Sequence, residues 1–330
     1  MKKKILVVGG EGYIGQILCK NFLENNYEII SYDNLIYKQN NNKESYKNPY
    51  YKFINADIRD TLKIRENLKN INGVIILAGL VGDPITKKYP DLSKEINQKG
   101  IKNLIDECTL ASIENVIFVS TCSNYGLITD NKFAKEDHEL NPLSSYARDK
   151  VDIEKYILSL KGKVNSCFTI LRFATAFGLS SRMRYDLTVN EFTRDIFNKK
   201  KLEVYDPDTW RPYCHIKDFS EIIKKIIEED IKKVSFQVFN AGSNMNNFTK
   251  RMITEKILSY IPSEDVLYID KKGTDPRNYK VDFSKLKNIL GYECQFSVDD
   301  GIKEIIENLQ KQTNNPIENQ TDFGNYKIEI

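Results

Sequence analysis

The fold is decided by the stretch Ile5-Leu6-Val7-Val8-Gly9-Gly10-Glu11-Gly12-Tyr13-Ile14-Gly15. Its first four residues are apolar and mostly β-branched, a pattern typical of a strand buried on both faces. From Ile14 to Phe22 the apolar residues recur at helical spacing, so a helix follows the glycines. The sequence therefore predicts a buried strand, a glycine-rich turn and a helix in direct succession.

Each glycine of this turn has a physical role. Gly9 lets the chain turn sharply, Gly12 lets the backbone approach a pyrophosphate, and Gly15 lets the helix pack closely against the strand. The helix N-terminus at Tyr13 and Ile14 offers free N–H groups and a positive dipole end to phosphate oxygens. A glycine turn that binds nothing is the alternative, but the strand and helix around this one favour a dinucleotide site.

Length, charge and cysteine spacing exclude several classes of protein. A chain of 330 residues predicts two domains or one elaborated α/β domain. Its 49 basic and 46 acidic residues give a net charge of +3, too balanced to indicate a nucleic-acid or membrane partner. The six cysteines lack metal-ligand spacing and only two histidines are present, so no metal site is predicted. The scattered cysteines are typical of reduced thiols in a cytoplasm. The apolar runs, including the four residues after the N-terminal lysines, are too short for a signal peptide or a membrane span, so a cytoplasmic protein is predicted.

A second buried strand, residues 27–32, ends at Asp33, which is followed by Asn34. Asp33 lies 18 residues after Gly15, close to the roughly 20 expected of a carboxylate that binds the adenosine ribose. A free carboxylate there repels a 2′-phosphate, so the sequence favours NAD over NADP. The alternative is that Asp33 only opens the next loop, because Asp is common in turns.

Three more strands continue the alternation with helices. Residues 51–54 lead to Asp57, whose carboxylate is expected to accept a hydrogen bond from the adenine amino group. Residues 73–77 lead to the small residues 78–82, where the backbone passes close to a cofactor. Residues 115–120 form the fifth strand. The alternation predicts an α/β fold with a doubly wound parallel sheet and a ligand at the carboxyl ends of its strands.

Hydroxyl and phenol groups follow the fifth strand. Ser-Thr-Cys-Ser-Asn-Tyr-Gly occupies 120–126, and Ser144-Ser145 can cap a helix that begins near Tyr146. Tyr146 and Lys150 are four residues apart, so they project from one helix face. A phenol with a pKa of about 10 is a poor base at neutral pH, but an adjacent ammonium and a positive nicotinamide favour the phenolate.

Tyr146 is therefore predicted to be the catalytic base. Lys150 is predicted to lower the pKa of Tyr146 and to bind the nicotinamide ribose, and Thr121 to orient the substrate hydroxyl. Without the preceding dinucleotide turn, the same Tyr and Lys would indicate only a solvated helix face.

These residues resemble an extended short-chain dehydrogenase/reductase of the nucleotide-sugar epimerase/dehydratase family. The resemblance extends to about residue 310. It rests on ten motifs in the family's order: GGEGYIG (9–15), Asp33, Asp57-Ile58, Leu77-Ala78-Gly79, Asn97, STCSNYG (120–126), YARDK (146–150), LRFATAFG (171–178), RPYCHIKD (211–218) and DPRNY (275–279).

The resemblance implies a Rossmann doubly wound parallel sheet with a smaller C-terminal α/β substrate domain. The NAD-binding Rossmann domain would comprise residues 1–180 and returning segments at about 211–242, and the sugar-nucleotide-binding domain residues 181–210 and 243–330. It also implies a homodimer paired through the helices near 97–110 and 146–160. The implied NAD-binding residues are Gly9, Gly12, Tyr13, Ile14, Gly15, Asp33, Asn34, Asp57, Ile58, Leu77, Ala78, Gly79, Asn97, Tyr146 and Lys150.

The resemblance further implies a nucleotide-diphosphate sugar as substrate. Guanidinium groups suit diphosphate oxygens, and Arg211 and Arg277 are expected to clamp the diphosphate and ribose. His215 is expected to be structural. The implied substrate contacts are Ser123, Asn124, Thr175, Arg182, Arg184, Asn190, Arg211 and Arg277.

Three positions depart from the family pattern. Family 4,6-dehydratases carry Asp-Glu after the catalytic Thr, and this chain has Cys122-Ser123 there. Family 3,5-epimerases carry a Cys at the position of Ser123, and the usual substrate-binding Asn of strand six is Thr175. The run 177–192 resembles a subgroup that includes bacterial GDP-heptose 4-dehydrogenases.

The sequence thus predicts an enzyme that transfers a hydride between NAD and C4 of a nucleotide-linked sugar. The expected type is a 4-epimerase or a 4-dehydrogenase, not a standard 4,6-dehydratase. A 4-keto sugar reductase is an alternative, because it uses the same hydride transfer. A non-catalytic dinucleotide-binding sensor or scaffold is a further alternative, but it has no need for Thr121, Tyr146 and Lys150 together.

Overall fold

A computed structural model describes residues 2–37, 45–128, 132–270, 277–312, 323–325 and 328. The strands in these residues are β1 (Lys4–Val8), β2 (Glu28–Asp33), β3 (Tyr51–Asn55), β4 (Gly73–Ile76), β5 (Asn115–Thr121), β6 (Phe133–Ala134), β7 (Cys167–Phe173), β8 (Thr175–Phe177), β9 (Leu202–Tyr205), β10 (Trp210–His215), β11 (Gln237–Ala241), β12 (Asn247–Thr249), β13 (Val266–Ile269) and β14 (Lys280–Val281).

The α-helices in the same residues are α1 (Tyr13–Glu24), α2 (Thr61–Asn67), α3 (Asp83–Lys88), α4 (Pro90–Ser93), α5 (Ile101–Leu110), α6 (Ser145–Ser159), α7 (Thr188–Phe197), α8 (Ile216–Glu228), α9 (Ile231–Val234), α10 (Lys250–Tyr260), α11 (Ser284–Leu290) and α12 (Val298–Gln312). A π-helix, Lys94–Gly100, leads directly into α5, and a 3₁₀ turn, Cys122–Tyr125, follows β5.

Seven strands form one parallel sheet in the order β11-β7-β5-β4-β1-β2-β3. The chain starts inside the sheet at β1, moves outward to β3, and then returns to build the other side from β4 to β11. This is the doubly wound arrangement, and it confirms the predicted Rossmann fold. The reversal of direction between β1 and β4 opens a crevice at their carboxyl ends, beside the glycine turn.

The first strand is buried on both faces, as its apolar run predicts. Ile5 and Val7 pack in one hydrophobic cluster with Leu18 of α1, whereas Leu6 and Val8 pack in a second cluster on the opposite face. All four side chains of 5–8 are at most 1 % exposed. The sheet therefore has an apolar layer on each side, and its ligand must approach along the strand ends.

The loop of residues 77–82 leaves the sheet at the end of β4. The strand ends at Ile76, one residue before the predicted end. The N–H groups of Leu77 and Ala78 both donate to the Val8 carbonyl, at 2.9 and 2.8 Å, so the chain turns away at this point.

The second half of the chain adds three small sheets, β12-β10-β8, β13-β9 and β14-β6. Helices α7, α10 and α12 contribute to a separate apolar cluster there that includes Phe177 and Ile253. β7 and β11 belong to the main sheet, whereas β8 and β10 pair with each other, so the segments 164–180 and 211–242 divide between the two regions. The limits of the two domains stay a prediction.

Candidate active site

A cavity of about 620 Å³ lies at the carboxyl ends of the central strands. The glycine turn lines it, together with residues of α7, β10 and the segment before β14. The predicted site residues that line it are Gly9, Gly12, Tyr13, Ile14, Gly15, Asp33, Asn34, Ile58, Leu77, Ala78, Gly79, Thr121, Ser123, Tyr146, Lys150, Thr175, Arg182, Arg184, Arg211 and Arg277. Four predicted residues are not part of its wall: Asp57, Asn97, Asn124 and Asn190.

The glycine turn is too tight for side chains. Gly9 has φ +90°, and a Cβ there would lie 2.7 Å from the backbone nitrogen of Ala78. A Cβ on Gly15 would lie 2.3 Å from the Gly9 carbonyl oxygen. Gly12 is the N-cap of α1, and no side chain caps this helix, so its first N–H groups are available to phosphate oxygens.

Asp33 is fixed at the end of β2 by two backbone groups. Its Oδ2 accepts from the Glu11 N–H at 3.0 Å, and its Oδ1 from the Leu35 N–H at 2.9 Å. Burial raises the pKa of Asp33 to about 6, and the negative charge of Glu11 adds to the rise. Glu11 is itself buried and accepts from the hydroxyls of Ser31 and Tyr51. Asp33, which lines the cavity, therefore has a second carboxyl group close behind it.

Asp57 holds other residues in place. Its carboxylate accepts from Arg59 Nε and Nη2 at 2.8 Å each, and from Asn34 Nδ2 at 2.9 Å. The Arg59 bonds hold the pKa of Asp57 below its usual value. Asp57 thereby positions Asn34, which lines the cavity, and the contact with adenine stays a prediction.

Asn97 also acts behind the cavity wall. Its Oδ1 accepts from the Leu80 N–H at 2.8 Å and its Nδ2 donates to the Leu80 carbonyl at 3.0 Å, so one side chain pins the loop after β4. A Cβ on Gly79 would lie 2.9 Å from that same Oδ1. Asn97 therefore fixes the backbone of residues 77–80 without lining the cavity itself.

Thr121, Tyr146 and Lys150 all line the cavity. The predicted cap is present: Ser144 Oγ accepts from the Ala147 N–H at 3.2 Å, and α6 begins at Ser145. Lys150 Nζ donates to the Val119 carbonyl at 2.8 Å and lies 5.9 Å from the centre of the Tyr146 ring. The Thr121 hydroxyl donates to Ser123 Oγ at 3.1 Å.

The electrostatics of Tyr146 differ from the sequence-based expectation. Burial raises the pKa of Tyr146, and the positive charge of Arg184 opposes this rise, while the negative charge of Asp83 adds to it. The prediction gave the opposing role to Lys150. Burial lowers the pKa of Lys150 itself to about 8. Arg184 is thus the guanidinium whose charge favours the phenolate in the protein alone.

Of residues 122–124, which follow Thr121, one lines the cavity and two are buried in the core. Ser123 lines the cavity, and Tyr279 donates to it at 3.4 Å. Cys122 donates to the Arg172 carbonyl at 3.2 Å, and burial raises the pKa of its thiol. Asn124 lies in the core, where its Nδ2 donates to Glu154 at 2.7 Å, so it is placed away from the predicted substrate contact.

The four predicted arginines occupy different parts of the cavity. Arg211 Nη1 donates to the carbonyls of Trp210 and Arg277, and Arg277 forms an ion pair with Asp83 at 3.2 Å, so these two arginines lie together. Arg184 binds Asp186 through two hydrogen bonds, of 3.0 and 2.6 Å.

Arg182 lies beside Tyr37, with its guanidinium 5.0 Å from the centre of the Tyr37 ring. The charges of Arg184, Asp186 and Asp33 all act on it. Arg182 therefore lies within reach of both the Arg184–Asp186 pair and Asp33.

Asn190 is buried in the scaffold of the site. Its Oδ1 accepts from the Gly178 N–H at 3.1 Å, and its Nδ2 donates to the Tyr13 hydroxyl at 3.0 Å and to the Arg184 carbonyl at 2.9 Å. With both amide atoms committed to protein groups, Asn190 connects the first helix to the Arg184 loop. It does not line the cavity as the predicted substrate contact would.

Several cavity residues were not identified from the sequence: Tyr37, Asp83, Glu191, Lys250 and Asn325. Asn325 is 8 % exposed, comes from a C-terminal segment beyond the motifs, and its Nδ2 lies 3.5 Å from the Val81 carbonyl. Glu191 lies in the run 177–192, and the other four belong to no motif that the sequence singled out, so only the fold could bring the five together.

The spacing of cysteines along the sequence did not predict one cluster of potential metal ligands. Cys214, Asp218 and Cys294 place their ligand atoms within 4.8 Å of one another. The Asp218 carboxylate already accepts from the Tyr292 hydroxyl at 2.7 Å and the Gln295 N–H at 2.8 Å. Burial raises the pKa of the Cys214 thiol well above its usual value, which disfavours the thiolate that a metal needs. We assign this cluster a structural role.

The chain is similar along most of its length to proteins of known sequence and structure. A putative UDP-glucose 4-epimerase of Methanocaldococcus jannaschii is 26 % identical, covering 94 % of this chain and 99 % of its own. A UDP-glucuronic acid 4-epimerase of Bacillus cereus, solved with UDP-glucuronic acid and NAD, superposes with a TM-score of 0.84 at 24 % identity, covering 93 % and 99 % of the two chains. A dTDP-glucose 4,6-dehydratase of Bacillus anthracis, solved with NAD, gives 0.82 at 23 %, covering 94 % and 98 %. Identities this low show a shared fold.

Among the described residues, no helix is both long and apolar enough to cross a bilayer.

The sequence model of the NAD-dependent epimerase/dehydratase family matches residues 5–242, a span that contains the glycine turn, Asp33 and the three predicted catalytic residues. This match confirms the predicted resemblance, and it confirms NAD as the cofactor at the level of the family. The chain belongs to the NAD-dependent epimerase/dehydratase family.

Proposed function

We propose that the protein transfers a hydride between NAD and C4 of a nucleotide-diphosphate sugar. The observation that carries this proposal is that Thr121, Tyr146 and Lys150 line the same cavity as the glycine turn. A dinucleotide-binding sensor or scaffold has no need of these three side chains beside its ligand. An enzyme is therefore the better explanation.

The Asp33 end of the cavity fits a dinucleotide. The uncapped N-terminus of α1 offers N–H groups to phosphate oxygens, and Asp33 offers a fixed carboxylate to the ribose hydroxyls. Arg182 is 3 % exposed, and in the described part of the chain its recorded hydrogen bond is one to the Gly324 carbonyl, at 3.5 Å. Burial lowers the pKa of Arg182 to about 10. An anion beside it would offset this cost, so we assign Arg182 to the cofactor pyrophosphate.

The three central residues then have distinct roles. Bound NAD supplies a nicotinamide that accepts a hydride from C4 and can return it. Tyr146 takes the proton of the C4 hydroxyl as the hydride leaves, and gives it back when the carbonyl is reduced. Thr121 orients the same oxygen through its hydroxyl, and Lys150, held by the Val119 carbonyl, binds the nicotinamide ribose.

Three cations of the cavity wall, Arg211, Arg277 and Lys250, support a place for the sugar nucleotide beside them. Guanidinium and ammonium groups bind diphosphate oxygens through charge-assisted hydrogen bonds. The sugar would then lie between these cations and Tyr146.

The residues after Thr121 favour a reaction other than dehydration. Removal of water from a hexose needs an acid and a base beside the catalytic Thr, and Cys122 and Ser123 occupy those places. The Cys122 thiol is buried with a raised pKa, so it supplies neither at neutral pH. We therefore favour 4-epimerisation, with net 4-oxidation second and reduction of a 4-keto sugar as the alternative.

We also propose a cytoplasmic homodimer that pairs through α5 and α6. Two large apolar side chains on these helices face outward: Leu110 is 74 % exposed and Leu158 is 38 % exposed. Burial of such residues against a second copy would remove apolar surface from water.

The test is to incubate the NAD-loaded protein with UDP-, GDP- and CDP-sugars while following NADH absorbance and product NMR. A C4 epimer without net NADH supports epimerisation, and stoichiometric NADH with a 4-keto sugar supports net oxidation. Formation of a 6-deoxy sugar would contradict the reading of Cys122 and Ser123. No reaction with any sugar, in either direction, would contradict the proposed function.

A further inference from the structure

Glu11 is a charged residue of the glycine turn that the proposed chemistry does not use. It stands between Gly10 and Gly12, is 2 % exposed and does not line the cavity. Taking a carboxylate out of water is costly unless its oxygens find partners inside the protein. The partners of Glu11 therefore show what a buried charge at this place can act on.

Three hydroxyl groups bind the carboxyl group of Glu11. Ser31 Oγ donates to its Oε1 at 2.6 Å, the Tyr51 hydroxyl donates to the same oxygen, and the Tyr46 hydroxyl donates to Oε2 at 3.2 Å. Hydroxyls satisfy the lone pairs of a carboxylate but carry no charge that would cancel its own. No ion pair is recorded for Glu11 within the described part of the chain. The negative charge of Glu11 is therefore held in place without being neutralised.

The backbone of Glu11 ties this charge to Asp33. The Glu11 N–H donates to Asp33 Oδ2 at 3.0 Å. Covalent geometry keeps the carboxyl oxygens of a Glu within about 6 Å of its own backbone nitrogen, so the two carboxyl groups lie less than about 9 Å apart. Ser31, which binds Glu11 Oε1, precedes Asp33 by two residues on β2 and shares its face of the sheet. At this separation the negative charge of Glu11 adds to the raised pKa of Asp33.

A dinucleotide with a 2′-phosphate would meet both charges. Asp33 lines the cavity, at the place proposed for the adenosine ribose. A phosphate on that ribose carries close to two negative charges at neutral pH. It would face Asp33 directly and Glu11 through the protein interior, where charges are screened little. The charge of Arg182 also acts on Asp33, but we assign Arg182 to the pyrophosphate, which NAD and NADP share, so it does not distinguish them.

We propose that Glu11 is a specificity-determining residue for the cofactor, and that its buried negative charge disfavours a 2′-phosphate on the ribose bound at Asp33. Glu11 acts through its charge, without touching NAD. Asp33 is then not the whole barrier to NADP, and removal of the Asp33 charge alone leaves a preference for NAD. The inference concerns the cofactor, so it goes beyond the proposed reaction at the sugar.

The test measures the affinities of the protein for NADH and NADPH by fluorescence titration. Glu11→Gln keeps the shape of the side chain and removes its charge. We expect NADPH to bind this variant about tenfold more tightly than it binds the wild type, the effect of one unit charge several ångströms from a phosphate, whereas NADH affinity changes less than about twofold. An unchanged ratio of the two affinities would overturn the proposal.

Glu28→Gln is the matched control for Glu11→Gln. Glu28 begins the same strand β2 at the end opposite to Asp33, is less buried than Glu11 and does not line the cavity. It should leave the ratio of NADH to NADPH affinity at the wild-type value. A shift of the ratio as large as that of Glu11→Gln would mean that any lost negative charge has this effect, and would overturn the assignment to Glu11.

Two more substitutions at position 11 separate charge from shape. Glu11→Asp keeps the charge on a shorter side chain and should keep the preference for NADH. Glu11→Ala removes the charge without leaving an amide in the core, so it takes the place of Glu11→Gln if that variant fails to fold. Loss of the preference in Glu11→Asp to the same extent, or equal weakening of both cofactors by the charge-free variants, would mean that Glu11 only shapes the turn, and would overturn the proposal.

Asp33→Asn separates this inference from the placement of the ribose. The variant should still bind NADH more tightly than NADPH, because Glu11 stays charged, and adding Glu11→Gln should reduce the remaining preference. Equal affinities of Asp33→Asn for the two cofactors would show that Asp33 alone excludes the phosphate, and would overturn the inference. None of these measurements needs a sugar. A cofactor preference that depends on Glu11, in a protein that turns over no sugar nucleotide, would support this inference and contradict only the proposed function.

Discussion

Two alanine substitutions in the glycine turn should separate folding from cofactor binding. A Cβ on Gly15 would lie 2.3 Å from the Gly9 carbonyl oxygen and 2.6 Å from the Gly10 carbonyl oxygen. Both are backbone atoms of the turn, so no side chain can move aside. Reaching an ordinary contact of 3.4 Å requires the turn or the start of α1 to shift by about 1 Å. Strain of this size in a packed region costs about 1–3 kcal/mol.

Gly12 provides the contrast within the same turn. A Cβ there would meet only the Gly9 carbonyl oxygen, at 3.3 Å, and its φ of −74° suits any residue. Gly12→Ala should therefore change the free energy of unfolding by about 0.5 kcal/mol or less. It should still weaken NAD binding, because the added methyl group stands where the backbone approaches the pyrophosphate.

The assay is urea unfolding of wild type, Gly15→Ala and Gly12→Ala in the absence of NAD, followed by NAD titration of each. Bound NAD would itself stabilise the folded protein, so unfolding is measured without it. A difference in stability between variants then cannot come from weaker NAD binding. Gly15→Ala as stable as wild type, or Gly12→Ala less stable than Gly15→Ala, would refute the packing argument. Normal NAD affinity of Gly12→Ala would refute the assignment of the pyrophosphate to this turn.

Four further predictions concern the cavity. Tyr146→Phe should lower turnover at least ~10²–10⁴-fold with little change in NAD affinity, and more than a tenth of wild-type activity would contradict Tyr146 as the base. Thr121→Ala should lower turnover less than Tyr146→Phe does, because it removes only one orienting hydrogen bond. Steady-state kinetics of both variants on the same substrate will test this order. NAD(H) should bind more tightly than NADP(H) in fluorescence titrations, because Asp33 and the nearby Glu11 repel a 2′-phosphate; tighter NADPH binding would contradict this. Arg184→Gln should move the rise of activity with pH to higher pH, because it removes the charge that opposes the raised pKa of Tyr146; an unchanged pH profile would contradict this role.

The sequence was sufficient wherever the determining interactions are local. β1, the glycine turn and α1 follow from apolar periodicity and from backbone geometry within fifteen residues. The start of α6 follows from the Ser144 cap, and the helix then places Tyr146 and Lys150 on one face. Such features depend on neighbours in the chain, so a single sequence contains them.

The roles of single polar side chains could not be predicted in this way. Asp57, Asn97 and Asn190 are bonded to protein groups and do not line the cavity, so the ligand contacts expected of them stay predictions. A carboxylate or amide at a strand end can face either the ligand or the scaffold, and only the position of its partners decides which. Glu191 shows the reverse case, because an acid in an amphipathic helix gives no sign that it faces a cavity.

The charges around Tyr146 link the protonation of this residue to the cofactor. Burial favours the neutral phenol, and with the pKa of Lys150 lowered to about 8 that side chain is a weaker source of positive charge than the sequence implied. Among the main contributions from the described residues, the charge of Arg184 opposes burial. A bound nicotinamide in its positively charged, oxidised form would add to this effect and favour ionised Tyr146. Beside the neutral, reduced form Tyr146 would keep its proton until a carbonyl oxygen accepts it. A phenol that alternates in this way can serve both halves of an epimerisation with one residue. For that reason, 4-epimerisation needs no further acid or base from positions 122 and 123.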